Sequence, residues 1–94
     1  MARSNDVAVT ADTFAELTNA AVTYISFQNK GPGAILVMGT TGTTGPSTSD
    51  GAYRYQAGQG EKNVAISDLF PGQSYVRLWA RAEGLASVVA VQHA

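Results

Sequence analysis

Cysteine is absent from the 94 residues, and histidine, tryptophan and charge are all scarce. Without cysteine no disulfide framework can form, which excludes a small disulfide-held scaffold. With a single histidine, His93, a zinc site would need three or more carboxylate ligands, an unusual donor set. Charged residues make up 14% of the chain, where ordinary domains carry about 25%. The net charge of −1 provides neither a basic patch for nucleic acid nor an acidic tail. No apolar run reaches the ~18 residues of a membrane-spanning helix. Residues 1–6 (MARSND) lack the ~7–15-residue apolar stretch of a secretory signal. They read as a flexible arm on a product made in a cytoplasm and not exported by its own sequence.

What is present is one domain's worth of strand-forming sequence. Apolar residues reach 45%, but 15 of them are Ala, so the core is thin. Val7, Val9 and Ala11 alternate with small or polar neighbours, the period of a half-buried strand. Thr13 to Thr18 reads as a second short strand, with Phe14 and Leu17 competing for its buried face. A helix over Ala11–Ala21 is the alternative there. Val22 to Gln28 (VTYISFQ) is rich in β-branched and aromatic residues, and the turn-rich Asn29 to Gly33 ends it. Ala34 to Met38 is a short apolar run of buried-strand length, and residues 30–33 have the length of a hairpin turn between these two strands.

Gly39 to Gly51 (GTTGTTGPSTSDG) holds no large apolar side chain and predicts a long exposed loop. Further strands are expected over Tyr53–Tyr55, Asn63–Ser67, Tyr75–Ala82 and Ser87–Gln92, with a turn at Asp68–Gly72. The last strand has no charge and is apolar on both faces, so it is either central to a sheet or covered from outside. Seven or eight short strands at ~8–12-residue spacing predict a single antiparallel β-sandwich over residues 7–94, immunoglobulin/fibronectin-III-like or jelly-roll-like. Ile25, Phe27, Leu36, Val64, Ile66, Leu78 and Val89 are the expected core.

Chemistry-bearing patterns are sparse. Gly39 to Gly45 lacks the Gly-Lys-Ser/Thr ending of a phosphate-binding loop, and Gly58-Gln59-Gly60 has Asn63 where a dinucleotide fingerprint needs its third glycine. Both read as turns. The seven carboxylates fall mainly at turns and ends, without the acidic repeat of a calcium loop. No catalytic, cofactor-binding or metal-binding residues are assigned, and no enzyme activity is expected. One row stands out: Tyr75, Arg77, Trp79 and Arg81 occupy one face of a strand. Trp, Tyr and Arg are enriched at binding hot spots, and the same row can stack single-stranded nucleic acid or serve as ordinary surface in which the arginines shield a half-buried Trp. The charge balance speaks against nucleic acid. Tyr53 and Tyr55 join Trp79 as a conceivable glycan platform.

Leu69, Pro71, Gly72 and Tyr75 form the pattern L-x-P-G-x-x-Y. It resembles the corner between strands E and F of fibronectin type III domains, which implies a structural role for Tyr75, its hydroxyl bonding back to the backbone near Leu69.

A broader resemblance runs over residues 7–94. It is carried by the short start, by Thr23 to Gln28, by the weakly charged Gly39–Gly51 loop, and by Tyr55 to Glu61 leading into Asn63–Ile66 and Leu69–Gly72. In these the chain is similar to small virion structural proteins of tailed bacteriophages, in particular capsid decoration (cement) proteins. The resemblance implies a non-enzymatic late protein on the capsid exterior, made in the host cytoplasm. Its partners would be the major capsid protein and neighbouring copies of itself, with no nucleic acid and no membrane involved. A tail or head–tail joining protein, or a small carbohydrate-binding or adhesion module, are the alternatives.

Overall fold

Alternating burial decides the architecture. From Tyr24 to Pro32 every second residue, starting at Ile25, is buried, and from Ile35 to Thr40 the buried positions are Ile35, Val37 and Gly39. Each such strand can satisfy its apolar face only against a second sheet. The computed structural model describes residues 2–94. Among them run β1 (Arg3–Val9), β2 (Ala15–Glu16), β3 (Tyr24–Pro32), β4 (Ile35–Thr40), β5 (Tyr53–Tyr55), β6 (Gly60–Ala65), the helical turn α1 (Ile66–Leu69), β7 (Arg77–Ala82) and β8 (Ser87–His93). The strands form two antiparallel four-stranded sheets, ordered β1-β8-β3-β6 and β2-β7-β4-β5.

The pairing has a simple rule. First pairs with last, second with second-last, and so inward: β1 with β8, β2 with β7, β3 with β6, β4 with β5. Two further ladders, β3 with β8 and β4 with β7, join these pairs into sheets. A long hairpin rolled up in this way is a jelly roll, which decides between the two sandwich types that the sequence left open. Only the β4–β5 connection stays within one sheet. The hairpin expected between β3 and β4 is therefore corrected: the two strands lie in opposite sheets, and the chain arches from one to the other at residues 33–34.

Asn29 explains why the chain arches there. It is fully buried, and its side chain fills its whole hydrogen-bonding capacity. Nδ2 donates to the carbonyls of Gly33 (2.8 Å) and Tyr55 (3.0 Å), while Oδ1 accepts from the Gly31 N–H (3.0 Å) and the Ser87 hydroxyl. Its backbone N–H and C=O are taken by Gln59 and Gly58. One residue of β3 thus holds the arch, β5 of the opposite sheet, the 58–59 turn and the start of β8.

The core contains Ile25, Phe27, Ile66, Leu78 and Val89 as expected, with Val9, Leu17, Ile35, Val37, Ala80, Ala82, Val91 and Phe70. Leu36 is corrected: β4 is set so that Ile35 and Val37 point inward and Leu36 lies on the outer face. Val64 is half-buried and packs at the core's margin. The helix over Ala11–Ala21 does not form; β2 stands there, with Leu17 fully buried. The strand expected over Asn63–Ser67 ends at Ala65, because the chain turns into α1, where Phe70 N–H donates to Ile66 C=O.

The flexible arm over residues 1–6 is also corrected: Met1 lies outside the described residues, and β1 begins at Arg3. Arg3 pairs with His93, and its guanidinium bonds the carbonyls of Glu16 (3.2 Å) and Leu17 (2.8 Å) in the other sheet. Polar residues suit this segment because β1 is an edge strand. The uncharged β8 is central, between β1 and β3, so both its backbone edges are paired within the sheet.

Replacing Asn29 by Ala would leave the Ser87 hydroxyl, the Gly31 N–H and two carbonyls without partners in the interior. Each unsatisfied group costs about 1–3 kcal/mol. Chemical denaturation of Asn29→Ala is expected to show a loss of at least about 3 kcal/mol; a loss below 1 kcal/mol would mean that water replaces the amide.

Candidate functional site

The expected row on β7 exists. Arg77, Trp79 and Arg81 are half-buried and point outward, while Leu78, Ala80 and Ala82 are buried. Ladder neighbours extend the outer face: Glu16 stands opposite Trp79 on one side, and Met38, Leu36 and Thr40 oppose Trp79, Arg81 and Arg77 on the other. Each of the three row residues has a different setting.

Arg77 is neutralised. Its Nη1 meets Glu16 Oε2 at 2.7 Å, and the Thr18 hydroxyl donates to the same oxygen at 2.8 Å. Trp79 is clamped. Its indole N–H donates to the Thr40 hydroxyl (2.8 Å), which in turn donates to the Gly42 carbonyl (2.9 Å). The loop after β4, residues 41–52, folds back so closely that a Cβ on Gly45 would sit 3.3 Å from the indole ring. The long loop is thus exposed at its tip yet packed against the sheet at Gly45 and Pro46.

Arg81 lies with its guanidinium carbon 5.8 Å from the centre of the Phe14 ring, a cation–π arrangement. Its Nε is buried without a hydrogen-bond partner, and among the described residues no hydrogen bond or ion pair holds its terminal nitrogens. Phe14 was the missed member. Its competition with Leu17 is resolved by Leu17 taking the core and Phe14 the outer face.

Tyr75, Tyr53 and Tyr55 do not join this row. Tyr75 precedes β7; its ring packs edge-on against Phe70 (5.3 Å) and lies under Gly39, where an added Cβ would come within 2.5 Å. That placement is structural. The hydroxyl bond implied by the fibronectin-like corner is not among the described hydrogen bonds, and Leu69, Pro71 and Gly72 form the end of α1 and the turn after it. Tyr53 and Tyr55 stand opposite Val37 and Ile35, so both lie on the core side of their sheet. Tyr53 is partly exposed beside Phe70, whereas Tyr55 is buried against Phe27 with a ring separation of 5.1 Å. A platform of Tyr53, Tyr55 and Trp79 is therefore not assembled.

The Tyr55 hydroxyl donates to Glu61 Oε2 at 3.1 Å. Burial, and secondly the nearby Glu61 carboxylate, push its ionisation well above the ordinary tyrosine range. His93 is buried on β8 with Nε2 unpartnered, at the end of the β1–β8 ladder. Among the described residues no group of three or more His, Asp or Glu side chains could hold a metal ion. Nor, among the described residues, is any helix long and apolar enough to cross a membrane.

Two measurements check these settings. Trp79 is the sole tryptophan, so Thr40→Val should increase acrylamide quenching of the intrinsic fluorescence and lower stability by about 1 kcal/mol. Unchanged quenching would show that the loop is held otherwise. For Tyr55, the folded chain keeps its phenolic proton above pH ~10, where the unfolded chain loses it. Stability should be full below pH ~10 and decline above it, and Tyr55→Phe should flatten that decline in melting curves taken between pH 9 and 11.

No protein family, curated protein or solved structure matches the chain.

Proposed function

We propose that the chain is a non-enzymatic structural protein of a tailed-bacteriophage virion, a capsid decoration protein held on the outer head by the major capsid protein and by neighbouring copies of itself. The jelly-roll topology suits this reading, since viral capsid domains use it, although lectins and enzymes share it. The observation that carries the reading is the inequality of the sheet edges.

The edges of the β2-β7-β4-β5 sheet are two and three residues long. In the other sheet, β6 is broken by a register shift and by Asn63 at φ 50°. Short, bulged edges resist pairing with other chains. β1 differs: seven residues run in unbroken register with β8, and no ladder covers its other side. Among the described residues its one ion pair, Asp6 to Lys30 of β3 at 3.0 Å, reaches back across the outer face of β8 and leaves the open edge uncharged by it. Such an edge can add to a neighbouring sheet through main-chain hydrogen bonds. A lattice that repeats the site many times would turn modest contacts into stable attachment.

Purified protein mixed with capsids that lack it should coat their surface in electron micrographs. Ala8 is exposed on β1, so Ala8→Lys places a charge on the open edge without touching the core. It should weaken coating about tenfold or more at an unchanged melting temperature. Replacing residues 41–49 by a short Gly-Ser turn should weaken it less. Coating by Ala8→Lys at wild-type level, or no coating by the wild type, would overturn the reading.

A further inference from the structure

Between the 41–52 loop and the segment that leads into β2 lies a cleft of about 400 Å³, at the small end of the ~300–1,000 Å³ range of ligand sites. Its walls are Phe14, Trp79 and Pro46; Arg81, Ser47 and Thr48 supply polar groups. Asp12 also lines it but makes no ion pair with Arg81. Aromatic walls with a few convergent polar groups are the composition of a small-molecule site.

From this we infer that the cleft binds a pyranose that bears a carboxylate, a uronic or sialic acid residue of a glycan. This site is independent of any attachment to a capsid. Phe14, Trp79 and Pro46 supply apolar surface for the C–H groups of a sugar. Ser47 and Thr48 match its hydroxyls, and Asp12, which repels a carboxylate, can accept only from a hydroxyl on the side of the ring away from the acid group. Arg81 selects the acid: among the described residues it is the one arginine with neither a carboxylate nor a carbonyl partner, since Arg3 bonds two carbonyls, Arg54 pairs with Glu83 and Arg77 with Glu16. Its Nε is buried without a partner, which leaves the two terminal nitrogens as the fork for a carboxylate.

The contact with Phe14, 5.8 Å from the guanidinium carbon to the ring centre, restrains the Arg81 side chain, so less of its freedom is lost on binding. An acidic peptide is the less favoured occupant. Extended peptides need a row of open backbone groups, and the strand bordering the cleft, β2, is two residues long.

The lone tryptophan lies in the cleft wall, so its emission reports occupancy directly. Digalacturonic acid and sialyllactose, titrated separately, distinguish a uronic from a sialic acid ligand. At least one should give a saturable change in Trp79 fluorescence. The neutral disaccharide galactobiose should bind about tenfold or more weakly than digalacturonic acid, or lactose than sialyllactose. Arg81→Gln should abolish that preference while circular dichroism stays unchanged. If this variant fails to fold, the preference of the wild type for the acidic over the neutral sugar still decides. Equal binding of acidic and neutral sugars, a response to an acetylated triglutamate peptide alone, or no response to any of these would overturn the inference.

Discussion

A buried amide that satisfies four partners at once is costly to disturb, and Asn29 places that constraint where the two sheets must be joined. Its Nδ2 reaches β5 across the sandwich, while its Oδ1 takes Ser87 at the start of β8. In a chain with no disulfide and a core of mostly Val, Ile and Ala, such a node substitutes polar specificity for hydrophobic bulk. It also fixes the arch between β3 and β4. A chain free to close a hairpin at residues 30–33 would put both strands into one sheet and lose the opposite wall of the core.

The outer face of the β2-β7-β4-β5 sheet follows from that arrangement. With Leu78, Ala80 and Ala82 committed to the core, alternation sends Arg77, Trp79 and Arg81 outward. A naked row of this kind would be adhesive. The chain handles its three members by different means: ion pairing for Arg77, a covering loop for Trp79 and a ring for Arg81. Only the last leaves donors unused, and that difference sets the cleft apart from the rest of the face.

Much of the fold was legible because period-two burial is a local property. The strand faces of β3 and β7, a count of seven or eight strands and the central position open to β8 could all be read from alternation. The parity of β4 could not, since Ala34 to Met38 is apolar throughout and both registers look alike in sequence. Strand pairing was hidden for another reason: a turn-rich segment such as NKGPG serves a hairpin and an arch equally well, and the choice depends on Tyr55 and Ser87, 26 and 58 residues away. The row on β7 was visible. Its partner Phe14 was obscured by Leu17, and the split of Tyr53 and Tyr55 from Trp79 depends on the opposing positions Val37 and Ile35, which only the ladder reveals.

The nested pairing also has a kinetic meaning. The innermost pair, β4 with β5, closes a short stretch of chain, and each pair outside it encloses the one before, until Arg3 meets His93. Loop-closure entropy grows with loop length by about 0.6 kcal/mol per doubling, and once the inner pair has formed each next ladder has a shorter free loop to close. Formed first, the outer ladder would instead have to close nearly the whole chain at once. In chain entropy the least costly order therefore runs outward from the loop that lies over Trp79, with the edge strand β1 last. The same loop closes the innermost strand pair and forms one wall of the cleft, so shortening it would act on both at once.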